Sequence, residues 1–449
     1  MRVRRTFRRA AIAAVCWAGA LALTITGCTA PPTASGSGPR FVTPPLIHYT
    51  SVLWPVPLEL VGAEPGSRLR LAATMSARQG HWSSEATYTV PLSGSLDLAR
   101  AKPQLAAFDQ PDSAGLFWSL KGPDLTTFDQ IGLWMRSTVD VRVDAFDGAR
   151  VVATKTFRLD GLGLGSRPSR VTGRDLQRAA AAAAAGSTLE RPAPLPPGSP
   201  ESGPVGDFYS ARSIERPRTP AVLVFDDTSP GASSDYIAPL LTQFGTAVLV
   251  LPSGGAATGA ETVRAINAAT VAASLDWLDA RDDINARSIF VYGTGSAEQF
   301  ALWAATRFSN RIAGAFAAGG STALLCLPGS DVSAVFEDGI GVPCQGDAGR
   351  VNPAAVFPLD TVSGQIVLAC AERDEQLLNA CRWLDAAEQA RGPHAGDRML
   401  RVAGAAHPIT VPPGLPIDLG DPATAEATEH GRVAFWNAVG AILLRATRT

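Results

Sequence analysis

Three continuous apolar runs limit what the second half of this chain can become: Ala221-Val222-Leu223-Val224-Phe225, Ala247-Val248-Leu249-Val250-Leu251 and Ile289-Phe290-Val291-Tyr292. None alternates with polar residues, so each reads as a strand buried on both faces. Helical stretches are expected at 261–280, where Ile266, Val271, Leu275 and Leu278 fall near one face, and at 298–307. Further strands are expected at 312–317, 366–370 and 399–402, with helices near 376–391 and 423–445. Strands alternating with helices imply an α/β fold with a doubly wound parallel sheet over residues 221–449.

The first half reads differently. Residues 41–160 hold short strands with turn punctuation, such as Arg68-Leu69-Arg70-Leu71-Ala72 and Thr87-Tyr88-Thr89-Val90. Val139-Asp140-Val141-Arg142-Val143 alternates, Asp147-Gly148 offers a type I′ turn, and Val151-Val152-Ala153-Thr154 resumes the strand. About seven such strands suit an immunoglobulin-like β-sandwich. Residues 161–220 carry an alanine run at 179–185 and then Pro192, Pro194, Pro196, Pro197, Pro200 and Pro204. They are expected to form a short helix and an exposed linker between two domains.

The start of the chain addresses it outward. Arg2, Arg4, Arg5, Arg8 and Arg9 precede an apolar stretch at 10–25 that is too short and wrongly flanked to span a bilayer. It ends in Ile25-Thr26-Gly27-Cys28, which resembles a bacterial lipobox. Residues 1–27 are then a lipoprotein signal peptide. The resemblance implies that Cys28 is the lipidation site and that the membrane is a partner through its acyl chains, the alternative being an ordinary secretory signal cleaved nearby. Residues 28–40, rich in Pro, Ser, Gly and Thr, form a flexible tether. The formal net charge is −2 and no basic cluster stands out, which argues against nucleic acid as a partner.

Besides Cys16 and Cys28 the chain has Cys326, Cys344, Cys370 and Cys381. In an oxidising compartment an even number suits pairing, and local pairing of 326 with 344 and 370 with 381 closes the smallest loops. No Cys or His spacing suggests a metal, and no cofactor motif stands out.

The segment from Ser288 to Ala297 reads as a buried strand entering a sharp turn, Gly293-Thr294-Gly295-Ser296-Ala297. It resembles the Gly-x-Ser-x-Gly turn on which an α/β-hydrolase carries its nucleophile. The best register places Gly295 at that position. Ser296 puts Glu298 where close helix packing wants a small residue, and Thr294 puts a β-branched residue in a strained turn. Downstream follow Asp374, just beyond a strand, and His407, in a loop of small residues. A histidine can take a proton from a nucleophile, and a buried carboxylate can orient it and stabilise its cation. In the loop after the first apolar run stand Asp226-Asp227-Thr228-Ser229-Pro230-Gly231. Carboxylates there oppose a developing oxyanion.

The order of sandwich then α/β domain resembles the acyl-CoA thioesterase / bile acid-CoA:amino acid N-acyltransferase family. Trp82-Ser83-Ser84-Glu85-Ala86 looks like its Trp-x-Ser-x-Ala strand. Gly115-Leu116-Phe117-Trp118-Ser119-Leu120 looks like its Gly-Leu-Phe-Trp-Ser-Met segment. Ala403-Gly404-Ala405-Ala406-His407 resembles its Gly-Ala-Gly-His turn, and Ala371-Glu372-Arg373-Asp374 its acid loop with Ala for the first Gly. The resemblance implies thioester cleavage or acyl transfer by a Ser or Cys nucleophile with Asp and His partners. Three functions follow as expectations. One is a membrane-tethered member whose catalysis is weakened or lost because Gly295 stands at the nucleophile position. Another is an active extracytoplasmic ester or thioester hydrolase using Ser296, His407 and Asp374. The third is an envelope protein that binds a ligand or adheres.

Overall fold

A computed structural model describes residues 38–42, 52–54, 56–162, 167–185, 204–211, 218–226, 234–252, 266–327, 329–346 and 349–448. The leader, Cys28, most of the tether and Asp227 lie outside the described residues. No described helix is long and apolar enough to cross a membrane.

The amino-terminal region holds seven described strands in two antiparallel sheets. Arg40–Val42, Glu59–Val61 and Ser95–Asp97 form one, in that order. The other runs Gly80–Thr89, Arg68–Ala77, Thr138–Asp147, Arg150–Asp160. Alternation sends Val139, Val141, Val143 and Ala145 inward while the residues between them face outward. The hairpin turn differs from the expected one. Asp147 pairs with Arg150, so Gly148 and Ala149 are the central residues. Only Gly148 has a positive φ, +57°, which is a type II′ pattern and not I′. The two sequence marks of this region meet in the core. Trp82 is buried, and the Ser84 hydroxyl donates to the Leu116 carbonyl at 2.5 Å, tying the Trp-x-Ser-x-Ala strand to the short helix Gly115–Trp118.

The carboxyl-terminal region is an eight-stranded sheet. Across it stand Ser169–Thr172, Pro204–Tyr209, Ala247–Pro252, Thr219–Asp226, Ile284–Thr294, Gly314–Ala318, Gln365–Ala371 and Arg398–Val402. In chain order this is 1-2-4-3-5-6-7-8. Pro204–Tyr209 is antiparallel to its neighbours, and the last six strands are parallel. This is an α/β-hydrolase sheet, with the sharp turn directly after its fifth strand. The apolar runs lie at its centre: Thr219–Asp226 is buried along all but its last residue. Helices Ala268–Asp279, Glu298–Arg307 and Ala380–Arg391 cover one face, and Ser234–Thr242 and Pro422–Ala446 the other. The last helix starts where Asp421 accepts from the Ala423 and Thr424 N–H groups and Pro422 takes a position needing no donor.

Residues 161–220 are not a linker throughout. Ser169–Thr172 and Pro204–Tyr209 are the first two strands of the sheet. Helix Gly173–Ala185 buries Leu176 against the core that also holds Val271 and Leu275. Both strands lie at one edge of the sheet, where half the residues can stay polar. Their composition therefore hides them. The two regions are also packed together. Phe117 and Trp134 of the sandwich join one apolar cluster with Phe435, Trp436 and Ile409 of the α/β region. The backbone N–H groups of Asp109 and Asp418 donate across the seam to Glu426 and Gln130, each at 3.0 Å. The helix expected at 261–280 is described only as Ala268–Asp279, capped by the Asn267 side chain on the Ala269 N–H.

Both local cysteine pairs are disulfides: Cys326–Cys344 and Cys370–Cys381. The second joins the end of strand Gln365–Ala371 to helix Ala380–Arg391 and encloses the loop that carries Asp374.

Candidate active site

The site is assembled at the carboxyl ends of the fifth, sixth, seventh and eighth strands, the edge where parallel sheets present loops. Thr294 is still extended, with φ −128° and ψ 156°, and its side chain is buried. The chain then reverses at Gly295, whose φ is +57°. A left-handed residue at this apex is what a nucleophile-bearing turn requires, and neither Thr294 nor Ser296 has it. The flanking contacts fix the same register. A Cβ on Gly293 would lie 2.3 Å from the Ala297 carbonyl oxygen, so small residues are needed two positions before and after Gly295. Ser296 is partly exposed just past the apex, and helix Glu298–Arg307 follows.

Asp374 and His407 come together as their order suggested. His407 Nδ1 lies 3.0 Å from each Asp374 carboxylate oxygen. An ionised carboxylate only accepts, so Nδ1 carries the hydrogen. Asp374 also accepts from the Gln376 N–H at 2.9 Å and the Leu377 N–H at 2.8 Å, which hold its carboxylate still. The His407 N–H donates to the Glu375 carboxylate at 3.0 Å. The acid side chain is 1% exposed and the imidazole 12%, so their attraction is little screened by water.

Two glycines after the sixth strand, which the sequence reading did not single out, join these parts. A Cβ on Gly319 would stand 3.6 Å from His407 Cε1, and one on Gly320 would stand 2.1 Å from the Gly295 carbonyl oxygen. The imidazole and the glycine turn are thus neighbours across Gly319-Gly320, and side chains there would part them.

Glu298 is a further missed group. It is buried at the start of its helix and accepts from the Gly320 N–H at 2.7 Å. Burial pushes its carboxyl up to about 8, against that hydrogen bond, with the nearby Asp374 charge adding to the rise. Its signal in the sequence is an acidic residue just ahead of the apolar stretch 300–305. Asp226 ends its strand half-buried at the same edge of the sheet. Among the described residues no group of three His, Cys, Asp or Glu is placed to hold a metal ion. The arrangement has a base and an orienting acid in contact, beside a turn whose apex has no side chain.

Residues 54–158 match the family described as the acyl-CoA thioester hydrolase/BAAT N-terminal region. No curated protein gives a match. Solved structures similar to the chain include Est1E from Butyrivibrio proteoclasticus, at 15% identity and a TM-score of 0.31, covering 50% of this chain and 92% of that one. Carboxyl esterase 2 from Tuber melanosporum is similar at 12% identity and 0.36, covering 57% and 85%. The esterase domain of a Rhodothermus marinus protein is similar at 16% and 0.32, covering 52% and 95%. The fold of the second region rests on its own sheet order and turn. Its Trp-x-Ser-x-Ala strand is locked to Gly115–Trp118 within the matched residues 54–158, so the amino-terminal region carries the acyl-CoA thioester hydrolase/BAAT N-terminal match and an α/β-hydrolase sheet follows it.

Proposed function

We propose that this protein is a membrane-tethered α/β-hydrolase relative that binds an acyl ester or thioester but hydrolyses it little or not at all. One observation carries this reading: the apex of the turn, at φ +57°, is Gly295, which has no atom to attack a carbonyl. Acyl transfer needs a nucleophile, a base that activates it and donors for the oxyanion. His407 would be the base and Asp374 its orienting partner. Loss of the nucleophile alone typically removes orders of magnitude of rate and leaves fold and binding in place. The surface beside His407 would then serve as a binding site for the acyl compound or for a partner protein of the cell envelope. The lipobox-like Cys28 would hold the protein at the extracytoplasmic side of the membrane. There CoA thioesters are scarce, so another ester or thioester is the better ligand.

The second reading is an active hydrolase using Ser296, His407 and Asp374. Its support is that Ser296 is partly exposed beside the turn whereas Thr294 is buried. Turnover of acyl-CoA and aryl esters by the unmodified protein separates the two. The expected result is hydrolysis near background and no labelling by a fluorophosphonate probe. Robust hydrolysis abolished by Ser296→Ala would overturn the first reading and make Ser296 the nucleophile. For the anchor, Cys28→Ala should release the protein from membranes or leave it unprocessed. An unchanged membrane-bound, processed form would refute lipidation there.

A further inference from the structure

A cavity of about 600 Å³ lies in the seam between the sandwich and helix Pro422–Ala446. It is separate from the candidate active site: Gly295, Asp374 and His407 do not line it. Protein interiors leave few voids larger than a water molecule, so a space of this size is a formed feature. It falls in the range of small-molecule pockets, and such pockets are apolar with a few placed polar groups. Phe117 and Trp134 from the sandwich and Phe244 and Trp436 from the α/β region make its walls. Gly440, in the middle of the last helix, keeps one wall in place. A Cβ there would lie 2.6 Å from the Phe244 ring, so glycine is needed where a helix would otherwise favour alanine. Two lining side chains, Trp54 at 51% exposure and Val433 at 39%, reach solvent and mark the mouth.

The charged side chains of the lining are both acidic, beside the neutral Ser113 and Asn437. Asp112 comes from the sandwich and Glu429 from the last helix. Asp112 accepts from the Ala114 N–H at 2.7 Å and Trp118 Nε1 at 2.6 Å. Glu429 accepts from the Gly414 N–H at 2.6 Å and Arg432 Nη1 at 3.3 Å. These bonds fix the two carboxyls in place. Burial pushes the Glu429 carboxyl up to about 7, against its pairing with Arg432 and its bond from Gly414, and the Asp112 charge adds a lesser rise. Glu429 is ion-paired with the buried Arg432 at 3.3 Å, which leaves Asp112 as the lining charge with no cation paired to it among the described residues, and an anionic head would meet that charge. A cation would be attracted by Asp112.

We infer that this interdomain cavity binds a single-chain amphiphile with an apolar tail and a cationic, amine-type head placed at Asp112. The tail lies among the aromatic walls. Because both regions contribute to the lining, occupancy also stabilises their docking.

The test uses dodecylamine, dodecanol and dodecanoate, each below its micelle concentration, with the complete mature protein. Tryptophan emission follows occupancy, since Trp54, Trp134 and Trp436 line the cavity, and native mass spectrometry counts the stoichiometry. The expected result is saturable one-to-one binding, with dodecylamine at least tenfold tighter than dodecanol and dodecanoate weakest. Asp112→Asn should erase the preference for amine over alcohol while leaving dodecanol binding unchanged. Val433→Trp, which fills the mouth, should weaken all binding at least tenfold. Asn437→Trp, from another exposed lining position on the same helix, is the second occluding variant should the first not fold. Absence of saturable binding, dodecanoate binding as tightly as dodecylamine, or unchanged affinity in the folded occluding variants would each overturn the inference.

Discussion

Asp374 and the turn at Gly295 lie at the same edge of one sheet, yet they keep very different amounts of the chemistry their places suggest. The acid meets His407 through both of its oxygens and is itself held by two backbone N–H groups. The turn keeps the left-handed apex and the tight approach of Gly293 to Ala297, but its apex has no side chain. The backbone geometry of a nucleophile-bearing turn is present with no side chain at its apex. A site of this kind can lose its first chemical step by one substitution because the scaffold that presents the nucleophile does not depend on it. The Asp374–His407 pair, in contrast, is tied to its loop, and its removal would disturb structure as well as chemistry.

The sharpest way to break that contrast is to supply the missing atom. Gly295→Ser should raise aryl-ester hydrolysis by about a hundredfold or more over the unmodified protein, with the gain abolished by a second change, His407→Ala. A left-handed serine costs roughly 1–3 kcal/mol, so a lower melting temperature should accompany the gain. No gain in a folded variant would mean that the oxyanion side has also been lost.

Next in size is Asp374→Ala. It leaves the Gln376 and Leu377 N–H groups and His407 Nδ1 without their acceptor, and should cost about 3 kcal/mol in urea unfolding. A neutral result would show the pair to be structurally idle. Gly293→Ala tests the turn in the same units. The added methyl meets the Ala297 carbonyl, and about 1–3 kcal/mol should be lost by the same measurement.

The smallest effect per step of the measurement is a pH dependence from Glu298. Its folded carboxyl titrates near 8, well above an ordinary carboxylate. Between those two values the native state holds a proton that the unfolded chain has released, so stability falls as pH rises through that window. Glu298→Gln carries no titrating proton. Its stability relative to the unmodified protein should be near zero below pH 4 and rise by up to about 1.4 kcal/mol per pH unit between the two carboxyl values. Glu429, titrating near 7 for the same main reason of burial, leaves a residual slope in both proteins. Equal pH profiles would mean that Glu298 is ionised when folded.

The sequence announces the centre of the sheet far better than its edge. Thr219–Asp226 and Ala247–Pro252 are buried on both faces, so they had to be apolar throughout, and their runs are plain to read. Helix Glu298–Arg307 falls where the residues 298–307 suggested. Ser169–Thr172 and Pro204–Tyr209 escape notice because edge strands tolerate Arg, Pro and Gly, and only pairing with the rest of the sheet identifies them. At the site, the order of Asp374 and His407 was legible because loops after successive strands meet at one edge. Gly319 and Gly320 were not, since their role is a distance to residues far away in the chain. Likewise the interdomain cavity is a product of docking, and no local pattern could signal it.

The Cys370–Cys381 bridge bears on how this molecule must be made. It closes a loop of sequence separation 11 with Asp374 inside it. Even in the unfolded chain that loop can no longer wander, and closing a loop of about 15 residues is worth roughly 3 kcal/mol in chain entropy. The acid is therefore kept near its destination before the sheet forms, but only where thiols oxidise. Protein produced in a reducing cytosol would have the same sequence and a looser acid loop. An assay on that material would report the loop's disorder as a property of the site.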